Sequence, residues 1–227
     1  IRRPPRSTQS RSSAASDVYK RQIITCLISY KGFKDHSFFE KYKFQISSIN
    51  LGEKVRMWSS GFLHVDFSHL ALNLFTLYVF SDVVLGRVGS LYYVIIYFSS
   101  LYFGNYFALK FHKNEPYYSA VGASGAVTGI VYSSILLYPQ MKLALIFFPI
   151  PLPAYVFGIG YLLYSIYGMQ KSLGNVGHTA HFGGAIAGLL ITILINPSIL
   201  INDTWIVALL ISPIIIFVSY KKNLFKN

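Results

Sequence analysis

Two short stretches hold the residues whose types and spacing could do chemistry. In "SAVGASGAVTGIVYSS", Ser119 to Ser134, Ser124 stands among small residues at what reads as a helix start. In "HTAHFGG", His178 and His181 precede a Gly-Gly pair. A serine beside an imidazole is the minimum for an activated hydroxyl nucleophile, because the ring takes the proton that the alcohol loses. A helix start adds unpaired backbone N–H groups that favour negative charge. Gly125 and Gly129 form a G-x-x-x-G pair, and Gly184 and Gly188 form a second. Such pairs let membrane helices approach closely. His181 lies three residues before Gly184, on the same helical face. If the two glycine faces pack together, Ser124 and His181 meet.

A third stretch, "HLALN", places His69 and Asn73 at i and i+4 on one helical face. Both side chains can donate hydrogen bonds toward a common point. Acyl transfer needs such donors where the tetrahedral intermediate develops negative charge. Each residue also has a plain packing role open to it. Small-x-x-x-small patterns are common in membrane helices, and His69 and Asn73 can simply hold helices together. His181 can be a satisfied structural residue or part of a proton relay, and His178 is a rival base. No acidic residue lies within the segments that carry Ser124 and His181. The pattern therefore favours a Ser–His dyad over a triad, with Asp66 and Asp82 read as caps or as solvent-facing groups.

The elements that must position these groups follow from composition. Of 227 residues, 53% are hydrophobic and only 12% charged, with a mean hydropathy of +0.47. That charged fraction is about half the soluble norm, and several apolar runs approach the ~20 residues that cross a bilayer. The class is an all-α, polytopic membrane helix bundle. One cysteine, Cys26, leaves no intramolecular disulfide and no metal cluster. Residues 1–22 hold six Lys/Arg and one Asp, a net of +5 that leaves +7 of the total +12 for the rest. This Ser/Arg-rich leader has no apolar core and reads as an adapter or cloning artefact rather than a targeting peptide. The remaining charge is scattered between spans as interfacial anchors, so nucleic-acid binding is a poor reading.

The membrane domain is placed at 23–220, with a short polar tail at 221–227. "IITCLISY", Ile23 to Tyr30, is too short to span and reads as the end of a truncated first span. A long interfacial segment, Lys31 to Asp66, follows. Further spans are expected at Phe67 to Leu85, Leu91 to Phe111, Gly122 to Tyr138, Ala154 to Tyr167, His178 to Ile195 and Thr204 to Tyr220. The prolines of "FFPIPLPAY" forbid a continuous helix and mark a connector. The count is six core spans and one C-terminal span. Spans two, four and six then start at the same membrane face, and those starts carry HLALN, GASG and HTAHFGG.

"RMWSSGFLHVDFSHLALN", then "GASG", then "AHFGG", in order on alternate spans, resembles the rhomboid family of intramembrane serine proteases, of bacterial type. The resemblance runs from about residue 23 to 195. It implies that Ser124 is the nucleophile and His181 the general base, since only His181 fits A-H-x-G-G. It implies an oxyanion hole of His69, Asn73 and the Ser124 backbone N–H. His64 and Arg56 take structural roles, as do Gly122, Gly125, Gly129, Gly184 and Gly188. Val55 stands where the family has a tryptophan, although Trp58 is near, and Ser81 and Leu85 replace a glycine and a glutamate. Thr128 stands where an aromatic ring often stacks on the base.

The activity so implied is hydrolysis of a peptide bond in or beside a transmembrane segment, with no metal and no organic cofactor. The partners are transmembrane protein substrates and the lipid bilayer, and the setting is a bacterial cytoplasmic (inner) membrane, crossed several times. The resemblance puts the active face outside the cytoplasm. Lys34, Lys41, Lys43, Lys54 and Arg56 on that face run against the positive-inside tendency, which a long loop weakens. A catalytically silent helix-binding relative and a small transporter using His69, Asn73 and His181 as a polar path are the other readings.

Overall fold

The structure, a computed structural model, describes residues 22–145, 148–171, 173–174 and 176–220. The expected leader through residue 21 and the tail at 221–227 lie outside the described residues. Helix α1 occupies residues 22–34 and so runs past the apolar stretch that ends at Tyr30.

The segment read as interfacial is built from small pieces. They are α2 (His36–Tyr42), β1 (Phe44–Gln45), α3 (Ile46–Asn50), α4 (Arg56–Ser59) and a 3-10 turn at Ser60–Phe62. Asp35 starts α2 by accepting a hydrogen bond from the Phe38 N–H at 2.9 Å. Arg56 ties the pieces together although it is buried. Its guanidinium donates to the Glu40 carbonyl at 2.7 Å, the Lys43 carbonyl at 2.8 Å and the Glu53 carboxylate at 2.6 Å. A guanidinium can be buried here because its fork of donors is matched by fixed acceptors. Beneath it Phe44, Ile46, Ile49, Met57 and Ala108 form a small separate core.

Helix α5 (Phe67–Phe111) holds two of the expected spans in one element of 45 residues. Asp66 caps it, accepting from the His69 N–H at 2.7 Å. Straight, it would be about 67 Å long, more than twice a bilayer core. It bends at Gly89, whose φ of 81° and ψ of 173° are non-helical and suit glycine. Each arm is then about 22 residues, or about 33 Å. The Ser81 and Tyr93 hydroxyls, 2.9 Å apart, join the arms across the bend. Ser81 is thus satisfied by a tyrosine rather than by the network that the family's glycine and glutamate would make.

The chain continues through β2 (Ser119–Ala120), α6 (Ser124–Leu137), β3 (Lys142–Leu145), β4 (Phe148–Pro153), α7 (Ala154–Lys171), α8 (His178–Ile195), α9 (Ile199–Asn202) and α10 (Thr204–Tyr220). The proline-rich connector is therefore a strand, paired antiparallel with β3. β1 pairs with β2 and joins the first loop to the approach of α6. These two ribbons correct the all-α expectation: the chain is mostly helical with two short antiparallel pairs. By length and apolar composition, two of the described helices can cross a membrane, α5 and α8, while α6 and most of α10 are shorter apolar helices.

The three helices α5, α6 and α8 form the tight centre of the molecule. A Cβ placed on Gly184 would strike the Gly125 carbonyl, and one on Gly188 would strike the Gly129 carbonyl. The two glycine faces therefore touch backbone to backbone. The second arm of α5 joins them at Gly104, where a Cβ would lie 2.6 Å from the Ala180 carbonyl oxygen. Lower in the same seam, the Thr192 hydroxyl donates to Ser133 Oγ at 2.7 Å, and Ser134 donates to the Phe80 carbonyl at 2.9 Å. Nearly every residue of α6 is buried, which makes it the central helix. Helix α7 packs outside this trio, against α8 and α10.

Candidate active site

The close glycine seam decides what stands at its upper end. Ser124, the first residue of α6, and His181, one turn into α8, are 57 positions apart in sequence. Ser124 Oγ lies 2.6 Å from His181 Nε2. Both positions are held by helices that can only approach this closely where side chains are absent. His181 is 6% exposed and Ser124 is half-buried. The serine hydroxyl is thus within hydrogen-bond reach of an imidazole nitrogen and is only partly covered.

The first arm of α5 brings the third stretch to the same place. The His69 ring lies against Gly122, where a Cβ would be 2.7 Å from His69 Cε1 and 3.7 Å from Ser124 Oγ. Gly122 also has a φ of 127°, so both its conformation and the ring exclude a side chain. Its N–H donates to the Ser60 carbonyl at 3.0 Å, which anchors this turn to the first loop. Asn73 is buried one turn below His69, and its amide donates back to the His69 carbonyl at 2.9 Å. Asn73 and Ala123 also border a cavity walled by Leu74, Leu77, Tyr93 and Tyr97. The Ser124 N–H, first in its helix, has no partner within that helix.

His64 is fully buried and its bonds assign its protons. The Ser29 hydroxyl donates to the Phe62 carbonyl at 2.8 Å, so Ser29 Oγ, 2.8 Å from His64 Nδ1, accepts the Nδ1 hydrogen. Nε2 is then the acceptor, and the Ala123 N–H points to it at 3.4 Å. Burial, aided by the neighbouring His69, pushes the His64 ring down to about 3, while Asp66 opposes this. A neutral imidazole thereby joins α1, the 3-10 turn and the residue before the serine. Arg56 belongs to the loop framework described above and supports the site from the first loop.

His178, the rival base, is engaged elsewhere. Its Nε2 lies 3.2 Å from the Leu173 carbonyl, and its ring packs on the backbone of Gly168 and edge-on to Tyr164 of α7, with centroids 5.0 Å apart. One residue not singled out from the sequence reaches the centre. The hydroxyl of Tyr161, on α7, is 2.8 Å from His181 Nδ1, and the two rings stack with centroids 5.7 Å apart and planes at 29°. The ring missing at Thr128 is thus supplied by a different helix. Among the described residues, no group of three His, Cys, Asp or Glu side chains is placed to hold a metal ion.

The Rhomboid domain family model matches residues 51–198 of the chain. Similar proteins include "Rhomboid protein 1, mitochondrial" of Saccharomyces cerevisiae, 28% identical over 156 residues, which are 67% of this chain and 45% of the yeast protein. "RHOMBOID-like protein 12, mitochondrial" of Arabidopsis thaliana is 25% identical over 173 residues, 70% of this chain and 51% of that protein. "Presenilin-associated rhomboid-like protein, mitochondrial" of Mus musculus is 30% identical over 139 residues, 59% of this chain and 36% of the mouse protein. The chain spans about half the length, or less, of these relatives.

Proposed function

Because this chain belongs to the rhomboid family, whose members are generally intramembrane serine proteases, we propose that it cleaves transmembrane or juxtamembrane segments of membrane proteins through a Ser124–His181 dyad. The observation that carries the reading is the 2.6 Å separation of Ser124 Oγ and His181 Nε2. His181 Nε2 takes the hydroxyl proton as Ser124 Oγ bonds to the scissile carbonyl carbon. The resulting oxyanion is met by the Ser124 N–H, with His69 and Asn73 as the side-chain donors at hand. Collapse breaks the C–N bond, and the imidazolium gives its proton to the departing amine. Water, deprotonated by the same ring, attacks the acyl-serine and releases the acid, which restores Ser124 and neutral His181.

The site lies below the membrane surface in this reading. Helix α6, with 14 residues, is about 21 Å long against a hydrocarbon core of about 30 Å. A helix that ends at the far interface therefore starts about 9 Å short of the near one, so its serine needs a polar, water-admitting entrance. Six core spans follow if α1, the two arms of α5, α6, α7 and α8 each cross, with α10 as the additional one. A substrate helix enters beside the first arm of α5 and α7, and its carbonyls must leave their own helical hydrogen bonds first. The setting proposed is a bacterial cytoplasmic membrane with the site on its outer side. Mitochondrial membranes are the alternative that the relatives' names raise.

A serine-reactive fluorophosphonate on the detergent-solubilised protein tests the dyad. Labelling of the parent and its loss in both Ser124→Ala and His181→Ala is the expected result. Equal labelling of all three overturns the reading.

A further inference from the structure

This inference rests on the Ser124–His181 reading and asks what holds the base in its working state. For Nε2 to accept the Ser124 proton, the neutral ring must carry its hydrogen on Nδ1, and that hydrogen needs an acceptor. Among the described residues the His181 ring has hydrogen bonds to Ser124 Oγ and the Tyr161 hydroxyl only, and none to an Asp or Glu. We propose that Tyr161 is the positioning residue for His181: its oxygen holds the Nδ1 hydrogen, and its ring fixes the plane of the imidazole.

Tyr161 meets the imidazole in two ways. Its hydroxyl oxygen lies 2.8 Å from His181 Nδ1, and the two rings stack with centroids 5.7 Å apart. An oxygen that accepts from Nδ1 leaves Nε2, 2.6 Å from Ser124 Oγ, free to take the hydroxyl proton.

By accepting at Nδ1, the Tyr161 oxygen selects the tautomer that a base at Nε2 requires. After proton transfer, the Tyr161 oxygen remains an acceptor for the Nδ1–H of the imidazolium. Stacking of the two rings fixes the plane of the imidazole, and the hydroxyl fixes its rotation. Tyr161 does this from α7, the outer helix, where the residue is 38% exposed. His178, three residues before His181 on the same face of α8, grips α7 at Gly168 and Tyr164. The orientation of the base therefore depends on α7 being seated against α8.

The test compares full-length variants in detergent. Tyr161→Phe keeps the aromatic ring and removes only the oxygen. It should slow fluorophosphonate labelling about tenfold, the worth of one neutral hydrogen bond. With a transmembrane peptide substrate, kcat falls while KM and the melting temperature stay at parent values. If Tyr161→Phe melts early, the nitrogen NMR shifts of ring-labelled histidine in the parent decide: they should report hydrogen on His181 Nδ1 and none on Nε2. Parent-like labelling by a folded Tyr161→Phe, or hydrogen on Nε2 of the parent His181, overturns the proposal while Ser124→Ala and His181→Ala remain unlabelled. If those two variants still label, the dyad itself fails and this proposal falls with it.

Discussion

At the scale of single residues, His64 shows how a buried polar group is kept silent. Its Nδ1 hydrogen goes to Ser29 and its Nε2 faces the Ala123 N–H, which leaves no place for a second proton. Burial holds the ring at about 3, against about 6.5 when the chain is unfolded. The unfolded chain thus binds a proton below about pH 6.5 that the folded protein refuses until about 3. The stabilisation from a neutral His64 is complete above pH 6.5 and lost progressively as the pH falls toward 3. The melting temperature should drop over that window, and His64→Asn, which offers one donor and one acceptor, should make the drop shallower. An equally steep drop in the variant would show that His64 plays no part. Ser124, His181, His69 and Asn73 are legible from residue type and spacing alone. Tyr161 is not, because it is one of 18 tyrosines and its partner lies on another helix.

At the scale of elements, glycine pairs carry the geometry. Gly184 and Gly188 face carbonyls of α6 at distances that leave no room for a methyl group. Gly184→Val should force α8 from α6 at a cost of about 1–3 kcal/mol, and labelling should be lost because the Ser124–His181 pair stands at the top of this seam. Gly160→Ala is the matched control: nothing lies within 4 Å of a Cβ there, so melting and labelling should stay at parent values. Equal melting temperatures for parent and Gly184→Val would mean that the seam is not close-packed. The spacing of small residues exposes this seam in the sequence, and the starts of α6, α7, α8 and α10 fall within two residues of expectation. The bend at Gly89 is less legible. A single glycine between two apolar runs reads as a gap, while the backbone keeps helical hydrogen bonds on both sides of it. The hairpin of β3 and β4 is missed in kind. Its prolines argue against helix, but pairing with β3 is a property of two segments at once.

At the scale of the whole molecule, the proposed function needs an entrance to Ser124 beside α7 and the first arm of α5, because α6, with 14 residues, is about 21 Å long against a hydrocarbon core of about 30 Å. In that reading a substrate helix unwinds before its carbonyl reaches Ser124. Replacing helix-weakening residues near the outer end of a substrate by alanine or leucine should therefore slow cleavage, measured by product release from reconstituted vesicles. Cleavage at an unchanged rate would remove unwinding from the mechanism. The sequence by itself determined the apolar helices, the glycine pairs on two of them, and the residue types that a serine–histidine pair needs. These are local properties, written in periodicity, small-residue spacing and residue type. Only the tertiary structure decided which histidine meets the serine and which meets α7, because that depends on how α8 is rotated between two neighbours. It alone supplied the partner at Nδ1, since a hydrogen-bond partner is chosen by distance in space and Tyr161 and His181 stand 20 residues apart on different helices.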